Sequence, residues 1–508
     1  MPAARRPRHD RAGASMNRSI IRLFAVVILL FTVLVVWTSR WTVFSATALD
    51  NNHLNRLSFF ASLKVKRGSI LADNGLVLAK SVKDGAGLWK RVYPRGSLFS
   101  QVIGYALPEE DRYAGLELAR NPDLKGLQSA LTSVFGSFNG TPTVGDDVHT
   151  TIDPKAQELA RQQIQHVMAA YGATSGSVVA IVPQTGAVRV MYSSPSYNDN
   201  NPTGKCTLPG CSQFFNAVQG GDPPGSTFKL ITTTAALDAG RYTPDSTFNG
   251  DSPVTISGHS LENDGNASYG QVTLTYALTN SINTVFGPLG LKLGADVMQQ
   301  YMQRYGFYSV PPLDYPANEM AASGELFYKP YCGNRSNTPK LVRVTSDCVD
   351  LGRTAIGQAN LAVTPLQMAM VVSAIANNGK LMQPRLTSKV VNSAGQTVQA
   401  ISPQVDDQVM KPKVASELQA MMRKVVEEGT GTAANLGGLN IGGKTGTAST
   451  GGTRNGQPLD DAWFVGFPES NPRIAVAVEL SDIENGFGGT YAAPIAAKVI
   501  QTLLAEHP

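Results

Sequence analysis

The chain has 508 residues, too many for one ordinary domain, and its 42% hydrophobic and 16% charged residues are the proportions of a globular protein with a sizeable core. The net charge is +5, and Arg5, Arg6, Arg8, Arg11, Arg18 and Arg22 against Asp10 account for all of it within the first 22 residues. The remainder is formally neutral, which gives no electrostatic reason to expect nucleic acid as a partner.

The arginines run into an apolar stretch from Leu23 to Trp37 broken only by Thr32. With Ile20 and Ile21 it approaches the roughly 20 residues a membrane helix needs. Residues 1–18 are therefore expected to form a basic cytoplasmic tail and 19–40 a transmembrane anchor, with everything beyond exported. Trp37 and Trp41 suit the far interface. Ala46-Thr47-Ala48 would also fit a cleaved signal peptide, though the apolar run is long for one, and both readings export the rest. In that compartment Cys206/Cys211 and Cys332/Cys348 read as two local disulfides, with free buried thiols as the alternative. Their spacing does not suit zinc.

Residues 41–170 read as a mixed pedestal domain of short strands. Arg67-Gly68-Ser69-Ile70 and Asp73-Asn74-Gly75-Leu76 suggest strand, tight turn and strand, and Pro154 to Ala170 has helical periodicity. The character changes at Gly176, and residues 171–508 are expected to form the second domain. Ser177 to Val182 and Ala187 to Tyr192 pair as a hairpin. Helices are expected after Pro224 and over Val272–Leu289, Ala295–Tyr305 and Thr364–Asn377. Strands return at Ala462–Phe467 and Ile474–Leu480, joined by a turn at Asn471-Pro472. A last helix is expected from about Ala492 to Glu506, with Pro494 in its first turn. The order implies an α/β (α+β) domain whose antiparallel sheet is flanked by helices.

Three short motifs carry chemistry. Pro223-Pro224-Gly225 halts the chain, and Ser226 then opens a helix, where free N–H groups favour negative charge. Lys229 lies one turn on and can reach the serine oxygen. A serine needs a base, and no Gly-x-Ser-x-Gly elbow accompanies the histidines. A desolvated lysine near a second cation can serve instead. Ser281-Ile282-Asn283 offers a proton relay in Ser281 and an amide-binding side chain in Asn283. Lys444-Thr445-Gly446-Thr447 reads as an edge strand. There Lys444 would set the field over Lys229, Gly446 would admit a substrate backbone, and Thr445 and Thr447 would meet a carboxylate. The N–H groups of Thr447 and Ser226 would form an oxyanion hole. Gly438 to Thr445 also has Walker A spacing, but the glycine- and threonine-rich residues after it will not start the helix a phosphate loop requires.

Ser-x-x-Lys, Ser-x-Asn and Lys-Thr-Gly in that order are the signature of penicillin-recognising enzymes. Ile356-Gly357-Gln358, Thr364-Pro365-Leu366-Gln367-Met368 and Trp463-Phe464-Val465-Gly466-Phe467 are similar to penicillin-binding transpeptidase motifs. Arg67-Gly68-Ser69-Ile70, Tyr93-Pro94, Gly115-Leu116-Glu117 and Thr151-Ile152-Asp153 resemble a class B pedestal, and the short chain resembles the penicillin-binding protein A type. Roughly 130 residues between anchor and Gly176 are too few for the glycosyltransferase domain of class A. The resemblance implies a penicillin-recognising serine transpeptidase fold and D,D-transpeptidation of peptidoglycan stem peptides through a Ser226 acyl-enzyme. It also implies covalent inhibition by β-lactams, a polytopic glycan polymerase as partner, and no cofactor or metal. A D,D-carboxypeptidase or a non-enzymatic β-lactam sensor would share the motifs. The chain departs from the family at Ile282, where Asp, Ser or Cys is more usual; its side chain is expected to pack away from the site.

Overall fold

A computed structural model describes residues 12–40, 65–85, 87–126, 144–202, 211–469 and 472–507. Trp41, the Ala46-Thr47-Ala48 pattern, Cys206 and Asn471 lie outside the described residues. The chain divides into two units, Met1–Lys64 and Val65–Pro508. In the first, helix α1 (Ala12–Ser39) contains a stretch, Ile20–Ser39, long and apolar enough to cross a membrane. Its two threonines turn their hydroxyls back onto the helix, Thr32 to the Ile28 carbonyl and Thr38 to the Leu34 carbonyl, so both polar groups are satisfied within the helix.

The second unit begins with strands β1 (Ile70–Leu71), β2 (Val77–Lys83) and β3 (Trp89–Val92), then β4 (Asp147–Thr150) and helix α2 (Pro154–Tyr171). Asp153 caps α2 by accepting from the Lys155 and Ala156 amides, and Gly172 closes it in the left-handed conformation. A hairpin follows, β5 (Ser175–Ile181) with β6 (Val188–Ser194), then a helical block: α3 (Lys229–Asp238), α4 (Leu274–Thr279), α5 (Asn283–Leu293) and α6 (Pro365–Ala376). Strands β7 (Thr387–Val391) and β8 (Thr397–Ala400), helix α7 (Pro412–Glu427), strands β9 (Ile441–Arg454), β10 (Gln457–Pro468) and β11 (Ala475–Glu484), and helix α8 (Gly488–Glu506) complete it.

Two sheets organise this unit. The larger-bodied one is antiparallel, in the order β9-β10-β11-β5-β6. Its period-2 alternation sends Val179, Trp463, Val465, Phe467 and Ala477 to one face, in a core shared with Phe228, Leu230 and Ile231. Val178, Phe464, Val476 and Leu480 face the other way, against α2 and α8 through Ile164, Ile495 and Ile500. Both faces are covered, which is why these strands read as nearly continuous apolar runs. The second sheet has the order β8-β7-β4-β1-β2-β3, so β7 and β8 return from late in the chain to complete the sheet of the early segment.

The structure corrects two readings of the sequence. Val272 sits on a short strand, Gln271–Thr273, and the expected helix is split into α4 and α5 around Ser281, whose φ of 57° is left-handed and cannot continue a helix. Helix α8 starts at Gly488, so Pro494 lies inside it and not in its first turn. The Cys332–Cys348 disulfide is present, and Cys211 is also disulfide-bonded.

Candidate active site

The sheet's edge strand β9 and the turn before α3 build the site together. Gly225–Phe228 form a 3-10 turn that leads directly into α3, with Ser226 half-buried in it. The turn is pinned on two sides. Gly225 donates its N–H to the Gly357 carbonyl at 2.9 Å, which gives Ile356-Gly357-Gln358 its place as a brace. On the other side a Cβ at Gly225 would lie 2.5 Å from the Thr447 carbonyl oxygen, and φ is +52° there, so only glycine fits. Gly446 serves the same junction: its Cβ would lie 2.5 Å from the Pro224 carbonyl oxygen and 3.0 Å from Thr227 Cγ2. The backbone that approaches Gly446 is thus the Ser226 turn of the chain itself. Ser226 and Thr447 are brought side by side by two glycines.

Behind the turn, Lys229 is fully buried. Its Nζ donates to the Ser281 carbonyl (2.7 Å), Ser281 Oγ (3.2 Å) and Asn283 Oδ1 (2.7 Å), and lies 5.5 Å from the centre of the Phe286 ring. Lys444, also buried, donates from Nζ to Ser281 Oγ at 2.9 Å and to the Thr445 carbonyl at 3.0 Å. The left-handed kink between α4 and α5 is what lets Ser281 present both its carbonyl and its hydroxyl to the lysines. Asn283 is steadied by donating from Nδ2 to the Glu262 carbonyl at 3.0 Å, and Ile282 turns away into the apolar core. Ser226 makes no side-chain hydrogen bond among the described residues.

Burial disfavours the charged form of both amines. Lys229 is held well below the usual lysine range by burial first and by the neighbouring Lys444 second. Burial alone pushes Lys444 down to about 7. An ammonium at Lys229 would have its three protons on three acceptors; the neutral amine keeps two donors and gains a lone pair that can take a proton.

Two contributors escape the motif reading. Thr430, in the loop after α7, places its Oγ1 2.6 Å from Thr445 Oγ1. Glu262 supplies the carbonyl that orients Asn283. The flanking Gly429 and Gly431 were the only signal for Thr430, and a backbone carbonyl leaves none for Glu262. The Walker A spacing is empty of meaning: Lys444 lies inside a 14-residue strand, with no helix after it.

Comparison with known proteins agrees with this geometry. Residues 176–501 match the penicillin binding protein transpeptidase domain, and residues 67–148 match the penicillin binding protein A dimerisation domain. The chain belongs to the penicillin-binding protein transpeptidase family. It is 33% identical to peptidoglycan D,D-transpeptidase PbpA of Mycolicibacterium smegmatis, over 97% of this chain and 100% of that one. The ceftriaxone acyl-enzyme complex of penicillin-binding protein A from M. tuberculosis superposes with a TM-score of 0.75 at 30% identity, covering 88% of this chain and 100% of that chain. The D,D-transpeptidase domain of a peptidoglycan glycosyltransferase from Eggerthella lenta does so with a TM-score of 0.71 at 30% identity, covering 87% and 99%.

Proposed function

We propose that this chain is a peptidoglycan D,D-transpeptidase in which Ser226 is the nucleophile. The observation that carries the reading is the pair of buried lysines converging on Ser281 directly behind the Ser226 turn. Neutral Lys229 takes the Ser226 proton as Oγ attacks the penultimate D-Ala carbonyl of a D-Ala-D-Ala stem peptide. The N–H groups of Ser226 and Thr447 receive the oxyanion, a role supported by the tight packing of Gly225 on Thr447. Ser281 passes a proton to the departing D-Ala amine, and Asn283 holds an amide of the substrate. The amine of a neighbouring peptide then attacks the ester carbon, loses its proton through the same relay, and frees Ser226. Lys444 with Thr445, Gly446 and Thr447 orients the donor, its strand edge pairing with the substrate backbone. A β-lactam enters the same route and stops at the ester.

In this reading α1 is the anchor, with the arginine-rich residues 1–18 cytoplasmic and the sheet of β9 outside the membrane. Residues 41–170 form the pedestal and 171–508 the catalytic domain, and a polytopic glycan polymerase supplies the strands to be joined. The test is labelling with a fluorescent penicillin. Wild-type protein forms a stable covalent adduct and Ser226→Ala forms none; an adduct that persists in the alanine variant removes Ser226 from the role.

A further inference from the structure

Outside its first 22 residues the chain is formally neutral, yet between Leu326 and Ser346 it carries Lys329, Arg335, Lys340 and Arg343 and neither Asp nor Glu. All four cations are exposed, and none forms an ion pair among the described residues. Asp347, the first acid beyond them, pairs with none of them. Tyr328 and Tyr331 stand out from the same arm at 61% and 68% exposure, whereas no Leu, Val or Phe of the arm is exposed.

This surface is held in shape. The Cys332–Cys348 disulfide closes it. Asn334 is buried beneath it and donates from Nδ2 to the Phe327 and Thr338 carbonyls, each at 2.8 Å, while its Oδ1 accepts from the Ser336 N–H. Strands Gly324–Phe327 and Lys340–Val342 form its antiparallel stem, and Lys340 Nζ reaches the Cys332 carbonyl at 3.4 Å, next to Tyr331. Like charges fixed on one short arm repel, and an anionic ligand relieves that repulsion without having to order the arm first. The arm is also tied to the active site. Gly324–Phe327 pairs on its other edge with Leu361–Ala362, which follows the Ile356-Gly357-Gln358 brace. The next residue, Val363, donates its N–H to the Asp222 carbonyl at 3.0 Å, directly before Pro223-Pro224-Gly225.

We propose that residues 328–343 are a binding arm, outside the cleft, for the peptidoglycan strand. The cations pair with carboxylates of its stem peptides, and the tyrosine faces pack on its sugar rings. An exposed ion pair contributes little alone, so the arm recognises a polymer that meets several cations at once and not a single peptide. A strand held there presents its other stem peptides to Ser226 at raised effective concentration. An anionic membrane also matches the charge, but the arm exposes no aliphatic side chain to insert. The inference rests on the reading of the chain as a peptidoglycan transpeptidase.

The experiment measures binding of fluorescent, uncross-linked peptidoglycan strands to the full chain in detergent, after benzylpenicillin has acylated Ser226 and closed the cleft. Wild type is expected to keep binding, to weaken as salt rises, and to bind strands with amidated stem carboxylates about tenfold less tightly. Combining Lys329→Gln, Arg335→Gln, Lys340→Gln and Arg343→Gln is expected to cost about tenfold with native strands, the scale of several exposed ion pairs, and to make native and amidated strands bind alike. Lys329→Arg with Lys340→Arg retains wild-type binding, and Tyr328→Ser with Tyr331→Ser weakens both kinds of strand equally. Acylation by penicillin at the wild-type rate shows that each variant is folded. Wild-type affinity in the fourfold glutamine variant overturns the arm, as does loss of all binding once the cleft is acylated. Anionic phospholipid vesicles that bind with the same dependence on the four cations overturn it in favour of a membrane contact. Failure of the wild type to take up penicillin removes instead the transpeptidase reading beneath it.

Discussion

Lys229 and Lys444 both donate to one oxygen, Ser281 Oγ, at 3.2 and 2.9 Å. Two full ammonium charges this close in a buried site repel strongly, so one proton is shed well before an isolated lysine would lose it. Burial is the larger cause at Lys229 and the Lys444 charge the second. Removing that charge while keeping bulk, as in Lys444→Gln, relieves the second cause only. The pKa of Lys229 then rises and the neutral base appears at higher pH. The rising limb of the acylation–pH profile is therefore expected to move upward in Lys444→Gln, by less than the full return to an ordinary lysine. A limb that stays in place or moves down would show that Lys229 is not the titrating base. Ser281 was legible as part of a three-residue pattern. Its left-handed backbone was not, because nothing about a serine announces φ of 57° before the helices on either side are packed.

The five-stranded sheet buries carboxyls that have no cationic partner among the described residues. Asp461 on β10 is pushed up to about 8 by burial first and by Asp222 second, with Asp482 and Asp460 adding to it. Glu479 on β11 is raised well above the usual range by burial and by Asp222 and Asp461. The folded chain thus holds protons that the unfolded chain releases near the ordinary aspartate value of 3.8. Between that value and about 8 the native state binds more protons, so stability falls as pH rises through the window. Asp461→Asn keeps the acceptor for the Asp482 amide and removes one titrating group. Its melting temperature is expected to drop less than wild type between pH 5 and 8, and a parallel drop in both would refute the assignment. Elements of this sheet were readable where both faces are buried, as in Ser177–Val182, because continuous apolar runs mark such strands. The long β9–β10 hairpin was not read, although Asn455-Gly456, with φ of 52° and 76°, is a two-residue turn whose sequence signal was present. Pro494 misled because a proline usually opens a helix, whereas here packing against the sheet outweighs the hydrogen bond it forfeits.

At the scale of the molecule, the division of the chain into pedestal and catalytic segments is crossed by its own secondary structure. Strands β7 and β8 leave the catalytic segment after α6, β7 pairing with β4 and β8 with β7, so one sheet holds residues from both. Sequence order hides this, since strand pairing at a separation of more than two hundred residues has no local signature. Within the early segment, Arg67 and Arg91 close on Glu117, and all three side chains are buried. Burial would raise the Glu117 carboxyl, but Arg91 and Arg67 outweigh it and hold it below the usual range. Glu117→Ala leaves two guanidinium groups buried without their anion, at a cost of about 3–5 kcal/mol. Were the pedestal an independent domain, that loss would appear in a separate early transition and leave the rest untouched. Because β7 and β8 are shared, the residues beyond Lys64 are expected to melt in one transition that moves down as a whole. The capacity of Ser226 to form an adduct with penicillin should be lost in step with it. Scanning calorimetry of wild type and Glu117→Ala, with penicillin labelling sampled across the melt, distinguishes the cases: a first transition that leaves labelling intact would mean the shared sheet does not couple the two segments.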